Sequence, residues 1–273
     1  MSDFLKLGII GATLIHTKSP QIQEAGLKYL GQAGEYKRFE IIENEFSKEI
    51  NQVLGNLNGA NVTIPYKEAI LKYLNEFDPL VKRIGATNTL VISKNGIYGY
   101  NTDYYGFKES LAHNSLEAKT VSIIGAGGAC KAVIIALEDM GVEEIYVYAR
   151  NTSKVDENIP KVTKTKLHIK QFTETENLSH SQLIINSTPV GQGRLANGSP
   201  LTLGQIDLLR AETLVYDLIY DETLLLKESR KRDLKTIDGS QMLVLQAAKS
   251  LSIWTEKELD QGLIDAMQEA YKN

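Results

Sequence analysis

Cysteine is almost missing: Cys130 is the single one, which excludes an internal disulfide framework and fits a reducing compartment. It stands among small residues, Ala129-Cys130-Lys131-Ala132, so quiet helix packing is expected of it rather than nucleophilic chemistry. No apolar stretch reaches the length of a bilayer span. Met1-Ser2-Asp3-Phe4 lacks the basic and apolar regions of a secretory leader. An excess of positive charge is missing too: 30 Lys and Arg stand against 34 Asp and Glu, a net charge of −4. That argues against a nucleic-acid binder or a polybasic membrane surface. The longest basic cluster, Lys227-Glu228-Ser229-Arg230-Lys231-Arg232, reads as a solvated helix end. Internal repeats, low-complexity tracts and long linkers are absent, and no metal site is expected. The expectation is a soluble cytoplasmic protein whose partners are small molecules, not nucleic acid or membrane. No heptad run or strongly apolar surface helix fixes an oligomeric state, so a homodimer stays open.

What is present is ordinary for a globular chain: 273 residues, 42% of them hydrophobic, enough to bury the core of one large or two modest domains. Leu7-Gly8-Ile9-Ile10 reads as a strand, and Ser19-Pro20 opens a helix with serine as its cap. Strand patterns follow at Tyr36 to Ile42 and Ala60 to Ile64, with a helix at Phe46 to Leu54 and another started by Pro65. Thr89 to Tyr100 resembles a β-hairpin turning at Lys94-Asn95-Gly96. A second alternation begins with Val121-Ser122-Ile123-Ile124 and continues through a helix to about Met140. Strands at Glu144 to Ala149, Leu183 to Ile185 and Leu214 to Tyr216 come next. Gln241 to Leu251 and Glu256 to Tyr271 are helical. Short buried strands between helices imply two α/β lobes built on parallel sheets and joined near Asn101 to Phe107.

Gly125-Ala126-Gly127-Gly128-Ala129-Cys130 lies after a strand and opens a helix, the place where a dinucleotide site needs glycine. Glycine lets backbone approach a pyrophosphate, and the helix N-terminus supplies unpaired N–H groups. NAD sites place a carboxylate at the end of the next strand to bind the ribose 2′-hydroxyl. Here that place reads Tyr148-Ala149-Arg150-Asn151-Thr152-Ser153-Lys154, with no carboxylate before Asp156. Arg150 and Lys154 suit a 2′-phosphate, which predicts NADP.

The first lobe places small polar and charged groups at strand ends. Thr17 and Ser19 fall just ahead of a helix and suit an anion. His16 reads as a structural loop histidine. Thr63 and Lys67 follow one strand, and Asn88 and Asp103 stand in Ala86-Thr87-Asn88-Thr89-Leu90 and Asn101-Thr102-Asp103.

Taken in order, Thr17-Lys18-Ser19-Pro20, Asn61-Val62-Thr63-Ile64-Pro65-Tyr66-Lys67, Gly85 to Leu90, Asn101-Thr102-Asp103, Gly125 to Ala129, Asn186 to Gly191, Asp217-Leu218-Ile219-Tyr220 and Asp238 to Ala247 resemble the signatures of the shikimate dehydrogenase family across nearly the whole chain. The resemblance implies a substrate-binding α/β domain over 1–104, rejoined by helices at about 240–273, and a Rossmann-type NADP-binding domain over 105–239. It implies reversible NADPH-dependent reduction of 3-dehydroshikimate to shikimate in aromatic amino acid biosynthesis. Lys67 and Asp103 would be the catalytic pair, acting as one coupled unit. Thr17 and Ser19 would hold the substrate carboxylate, and Thr63, Asn88, Tyr220 and Gln246 the rest of the ring. Gly125, Ala126, Gly127, Gly128, Ala129, Arg150, Lys154, Leu218 and Gly239 would lie along the cofactor. The chain departs from the family pattern in three places. Thr17 replaces a serine, Ala149-Arg150-Asn151 replaces Asn-Arg-Thr, and Asp221-Glu222-Thr223-Leu224 lacks the frequent Thr-Pro. Two alternatives are a broader quinate/shikimate dehydrogenase and a nucleotide-sensing regulator without turnover; intact Lys67 and Asp103 disfavour the second.

Overall fold

The computed structural model describes residues 4–112 and 118–273; Met1-Ser2-Asp3, read above for a leader, lie outside them. Chain contacts divide the protein into two compact units, Met1–Gly106 with Val244–Asn273, and Phe107–Leu243.

In the first unit, β1 (Leu5–Gly11), β2 (Gly34–Glu40) and β3 (Gly59–Val62) alternate with α1 (Ser19–Tyr29) and α2 (Phe46–Leu54). After β3 come β4 (Glu76–Phe77), α3 (Pro79–Ile84), β5 (Thr89–Ser93), β6 (Gly96–Tyr100) and the start of α4 (Thr102–Ala112). The strand order is β2-β1-β3-β5-β6-β4. The sheet is mixed rather than parallel. β1 pairs in parallel with β2 and β3, whereas β5 runs antiparallel to both β3 and β6. The two-residue Lys94-Asn95 turn between β5 and β6 leaves no room for a parallel crossover, which needs a dozen residues or more. The core joins strand, helix and turn: Ile10, Ile50, Val62, Tyr66, Ile70 and Leu90 share one buried cluster.

Three expected elements differ. Ser19 does not cap α1; it is the first helical residue, and Lys18 stands at the cap position. Thr17 Oγ1 takes the capping part by accepting from the Ser19 N–H at 3.3 Å. Pro65 starts a turn, and only the short 3₁₀ segment Ala69–Tyr73 follows. The Lys67 carbonyl is taken by the Thr87 N–H at 2.9 Å, so it cannot serve a helical ladder. The last helix begins at Gln261 rather than Glu256, where Asp260 caps it by accepting from the Leu263 N–H.

The second unit carries β7 (Thr120–Ile124), α5 (Gly128–Asp139), β8 (Glu144–Ala149), α6 (Thr152–Asn158), β9 (Lys166–Gln171) and β10 (Leu183–Asn186). It continues with α7 (Leu203–Ile206), β11 (Leu214–Asp217), α8 (Leu224–Arg230) and β12 (Lys235–Ile237). The order β12-β11-β10-β7-β8-β9, parallel throughout, is that of a dinucleotide-binding sheet with its switch point between β7 and β10. Val121–Ile124 of β7 and all of β10 and β11 are buried, as central strands of a parallel sheet are. Cys130 is fully buried in α5, and burial pushes its thiol up to about 12, which suits packing and not chemistry. The basic cluster at the end of α8 is solvated and paired, Arg232 with Asp207 and Lys231 with Glu228.

The chain then returns to the first unit through α9 (Ser240–Thr255) and α10 (Gln261–Lys272). Trp254 Nε1 donates to the Leu90 carbonyl at 2.8 Å and Gln23 Nε2 to that of Ala247 at 3.1 Å.

Candidate active site

Lys67 follows β3 in a turn that two contacts fix. Tyr66 stacks on Phe46 at 4.0 Å between ring centroids and donates its hydroxyl to the Ile41 carbonyl, while the Lys67 carbonyl is held by Thr87. Lys67 Nζ donates to Asp103 Oδ2 at 2.5 Å, and the two side chains are 13% and 8% exposed. Asp103 sits in the first turn of α4, where a carboxylate is favoured by the helix dipole. Its other oxygen accepts from Asn88 Nδ2 at 2.9 Å. The Thr102 N–H occupies Asn88 Oδ1 at 2.7 Å, so the amide can present only its NH₂ toward the carboxylate. Gln246, from α9, accepts from the same NH₂ at 3.3 Å. The structure therefore brings together Lys67, Asn88, Asp103 and Gln246.

Behind this group lies a buried polar network that sequence patterns did not reveal. Ser250 Oγ lies 2.8 Å from Thr89 Oγ1 and 3.0 Å from Thr102 Oγ1, and accepts from Asn61 Nδ2 at 3.1 Å. The Tyr36 hydroxyl closes the far end on Asn61 Oδ1 at 2.7 Å. Ser250 and Thr89 are wholly buried. Satisfied networks of this kind fix one arrangement, since any shift leaves a buried polar group unpaired. Ser250 had one available signal, its position four residues after Gln246 on the same helix face.

Thr17 and Ser19 meet at the start of α1, their hydroxyls 3.1 Å apart. Thr63 follows β3, and its hydroxyl makes no hydrogen bond among the described residues. Tyr220 belongs to the second unit, in the loop after β11.

In the second unit the glycine loop follows β7. Gly125 has φ +104, and a Cβ there would meet Ser187 Oγ and Thr188 Cγ2 at 2.8 Å, so both backbone and space demand glycine. Gly127 caps α5 with φ −83, and no protein atom lies within 4 Å of where its Cβ would be. Packing within the fold does not require glycine at 127, and the space beside it is open. β8 ends in Ala149, and Arg150 and Lys154 are exposed, without an ion-pair partner among the described residues. Asn151 caps α6 by accepting from the Lys154 N–H at 3.1 Å, and Thr223 caps α8. Gly239 lies against the Leu218 carbonyl, which its Cβ would strike, and its N–H bonds to the Ile219 carbonyl at 2.9 Å. Below this loop Asp217 is fully buried. It accepts from Asn186 Nδ2, the Ile219 N–H and the Thr223 hydroxyl at 2.8–3.0 Å. Burial pushes its carboxyl up to about 6 against the pull of those bonds. A helix N-terminus, an open glycine and two unpaired cations fit a dinucleotide with a 2′-phosphate.

Residues 9–90 match the shikimate dehydrogenase substrate binding domain, and residues 108–199 the shikimate / quinate 5-dehydrogenase family. The chain is 35% identical to the NADP(+) shikimate dehydrogenase of Clostridium beijerinckii, over 97% of both chains. Among solved structures it resembles shikimate dehydrogenase 1 of Peptoclostridium difficile, with a TM-score of 0.86 and 35% identity over 98% of each chain. It also resembles the Thermus thermophilus enzyme crystallised with NADP(H) and shikimate, with a TM-score of 0.83 and 29% identity over 98% of each chain. By sequence along its whole length and by fold, the chain belongs to the shikimate dehydrogenase family.

Proposed function

We propose that this protein reversibly reduces 3-dehydroshikimate to shikimate with NADPH, a step of aromatic amino acid biosynthesis. The observation that carries this reading is the Lys67–Asp103 pair at 2.5 Å, set among amide groups on the unit that matches the substrate-binding family. The proposed domain limits are 1–104 with about 240–273 for substrate and 105–239 for cofactor. The division of chain contacts at Gly106 and Leu243 supports them.

Bound NADPH supplies the hydride, held along Gly125 to Ala129, Leu218 and Gly239, with Arg150 and Lys154 on the 2′-phosphate. Thr17 and Ser19 hold the ring carboxylate with their paired hydroxyls. Thr63, Asn88, Tyr220 and Gln246 hold the rest of the ring. Lys67 donates a proton to the carbonyl oxygen as negative charge develops there, and takes it back in the oxidative direction. Asp103 orients the ammonium through Oδ2 and accepts from a ring hydroxyl, while Asn88 fixes Oδ1. The two side chains act together, the carboxylate aiming the ammonium that it holds at 2.5 Å.

No helix among the described residues is long and apolar enough to cross a membrane, and with the lone cysteine this supports a cytoplasmic location. The small-molecule substrate is the proposed partner, without nucleic acid or membrane, and a homodimer is the oligomeric form to test by light scattering. Thr17, which adds a methyl group beside the carboxylate, favours a second reading in which quinate is also used. Steady-state rates on shikimate and quinate, each with NADP and NAD, test both points. Absence of shikimate turnover with NADP overturns the reading. Equal efficiency with NAD removes the assigned role of Arg150 and Lys154.

A further inference from the structure

The loop that ends in Thr17 and Ser19 is held by the edge strand β2. Glu40 Oε1 accepts from the Leu14 N–H at 2.5 Å, and Arg38 Nη2 donates to the Thr17 carbonyl at 3.1 Å. Arg38 and Glu40 lie on one face of the strand, two residues apart. Two lysines on the same segments are engaged elsewhere. Lys18 Nζ donates to the Tyr271 carbonyl at 2.8 Å and lies 4.5 Å from the centroid of that ring, and Lys37 pairs with Glu35. Arg38 is exposed and forms no ion pair among the described residues. A guanidinium has five donors in a rigid fork, and the contact with Thr17 uses one.

Hydroxyl groups alone are neutral donors, so a pair of them recognises a carboxylate by geometry without countering its charge. We propose that Arg38 supplies that charge. It is a specificity-determining residue that pins the backbone of Thr17 and favours an anionic substituent on the ring bound by Thr17 and Ser19. The inference rests on the shikimate reading above, because it needs a substrate that carries a carboxylate. Glu40 carries the opposite charge on the same face, but its Oε1 is turned to the Leu14 N–H, whereas Arg38 Nη2 is turned to Thr17.

Arg38→Gln separates the two parts of the proposal, because glutamine keeps a donor for the Thr17 carbonyl and removes the charge. The expected result at low salt is a rise of about 5-fold in KM for shikimate, the scale of one partly exposed charge. kcat and KM for NADP stay within about twofold of wild type. Arg38→Lys restores most of the affinity, and the gap between Gln and wild type closes as salt is raised. The methyl ester of shikimate, which has no charge, is bound equally by both proteins. A wild-type KM in Arg38→Gln, a loss confined to kcat, or a salt-independent gap overturns the proposal while leaving shikimate turnover intact. A wild-type protein that does not oxidise shikimate refutes the assigned reaction itself, and the Arg38 inference with it.

Discussion

Lys67→Ala perturbs two things at once, and the geometry allows them to be separated. It removes the proposed proton donor, and it strips Asp103, 8% exposed, of its 2.5 Å partner. Loss of a general acid lowers kcat by at least about 100-fold, or about 2.7 kcal/mol in the barrier. Breaking a buried ion pair costs about 3–5 kcal/mol of stability when the remaining charge is left alone. Here Asn88 Nδ2 stays on Oδ1 at 2.9 Å, so a loss nearer about 2 kcal/mol is expected. The double variant Lys67→Ala/Asp103→Asn carries no orphaned charge, so it recovers stability but not turnover. Initial rates of NADPH formation at saturating shikimate, paired with urea unfolding of the same samples, read both quantities. A single variant within about tenfold of the wild-type kcat would falsify the role of Lys67. Parallel recovery of kcat and stability in the double variant would show that the loss came from misfolding around Asp103.

Ser250→Ala removes the hydroxyl shared by Asn61, Thr89 and Thr102. We expect a stability loss of about 1–3 kcal/mol, as for a broken buried hydrogen bond, and a kcat that falls more than NADP affinity does, read by unfolding and steady-state kinetics. Gly127→Ala meets open space, so it costs less than about 1 kcal/mol of stability while raising KM for NADP; an unchanged KM would remove the loop from the cofactor site. Arg150→Ala raises KM for NADP by about 10-fold, the value of a charge-assisted hydrogen bond at an exposed site, and leaves KM for NAD unchanged. Asp217 predicts a pH dependence of stability. Its carboxyl, ordinarily at 3.8, is raised to about 6 in the folded protein, so between these values the native state holds a proton that the unfolded chain has lost. Stability therefore falls by about 3 kcal/mol as pH rises through that window, and is flat above it. Asp217→Asn, compared with wild type by urea unfolding across pH, loses that slope.

Much of the second unit was legible because local rules and tertiary structure agree there. The strand, glycine turn and buried helix at Thr120–Asp139 follow from an apolar run, a loop that needs glycine, and small packing residues. The first unit misled where a tertiary hydrogen bond overrode a local preference. Pro65 looks like a helix start, but Thr87, distant in sequence, claims the Lys67 carbonyl. Ser19 looks like a cap, but there a local bond decides instead: Thr17, two residues earlier, accepts from its N–H. Ser250 was barely legible, through its spacing from Gln246 alone, for a different reason. A serine amid Ala248, Lys249 and Leu251 has no local mark of burial, and its partners come from three other elements.

The two proposed halves of the site use polarity in opposite ways, and this follows from what each must bind. Lys67, Asn88, Thr102 and Asp103 are tied to one another by bonds of 2.5–3.0 Å, so each donor direction is set before a substrate arrives. A reaction that moves one proton needs that preorganisation, because a displaced ammonium cannot follow the charge that forms. Arg150 and Lys154 instead stand exposed, with no ion-pair partner among the described residues. A phosphate bears enough charge to order flexible cations on arrival, and leaving them unpaired avoids an internal competitor. The Thr17–Ser19 loop lies between these cases: its hydroxyls are paired at 3.1 Å, while Arg38 keeps most of its donors open. A carboxylate needs both direction and charge, and in this fold the hydroxyls would provide the first and the guanidinium on β2 the second.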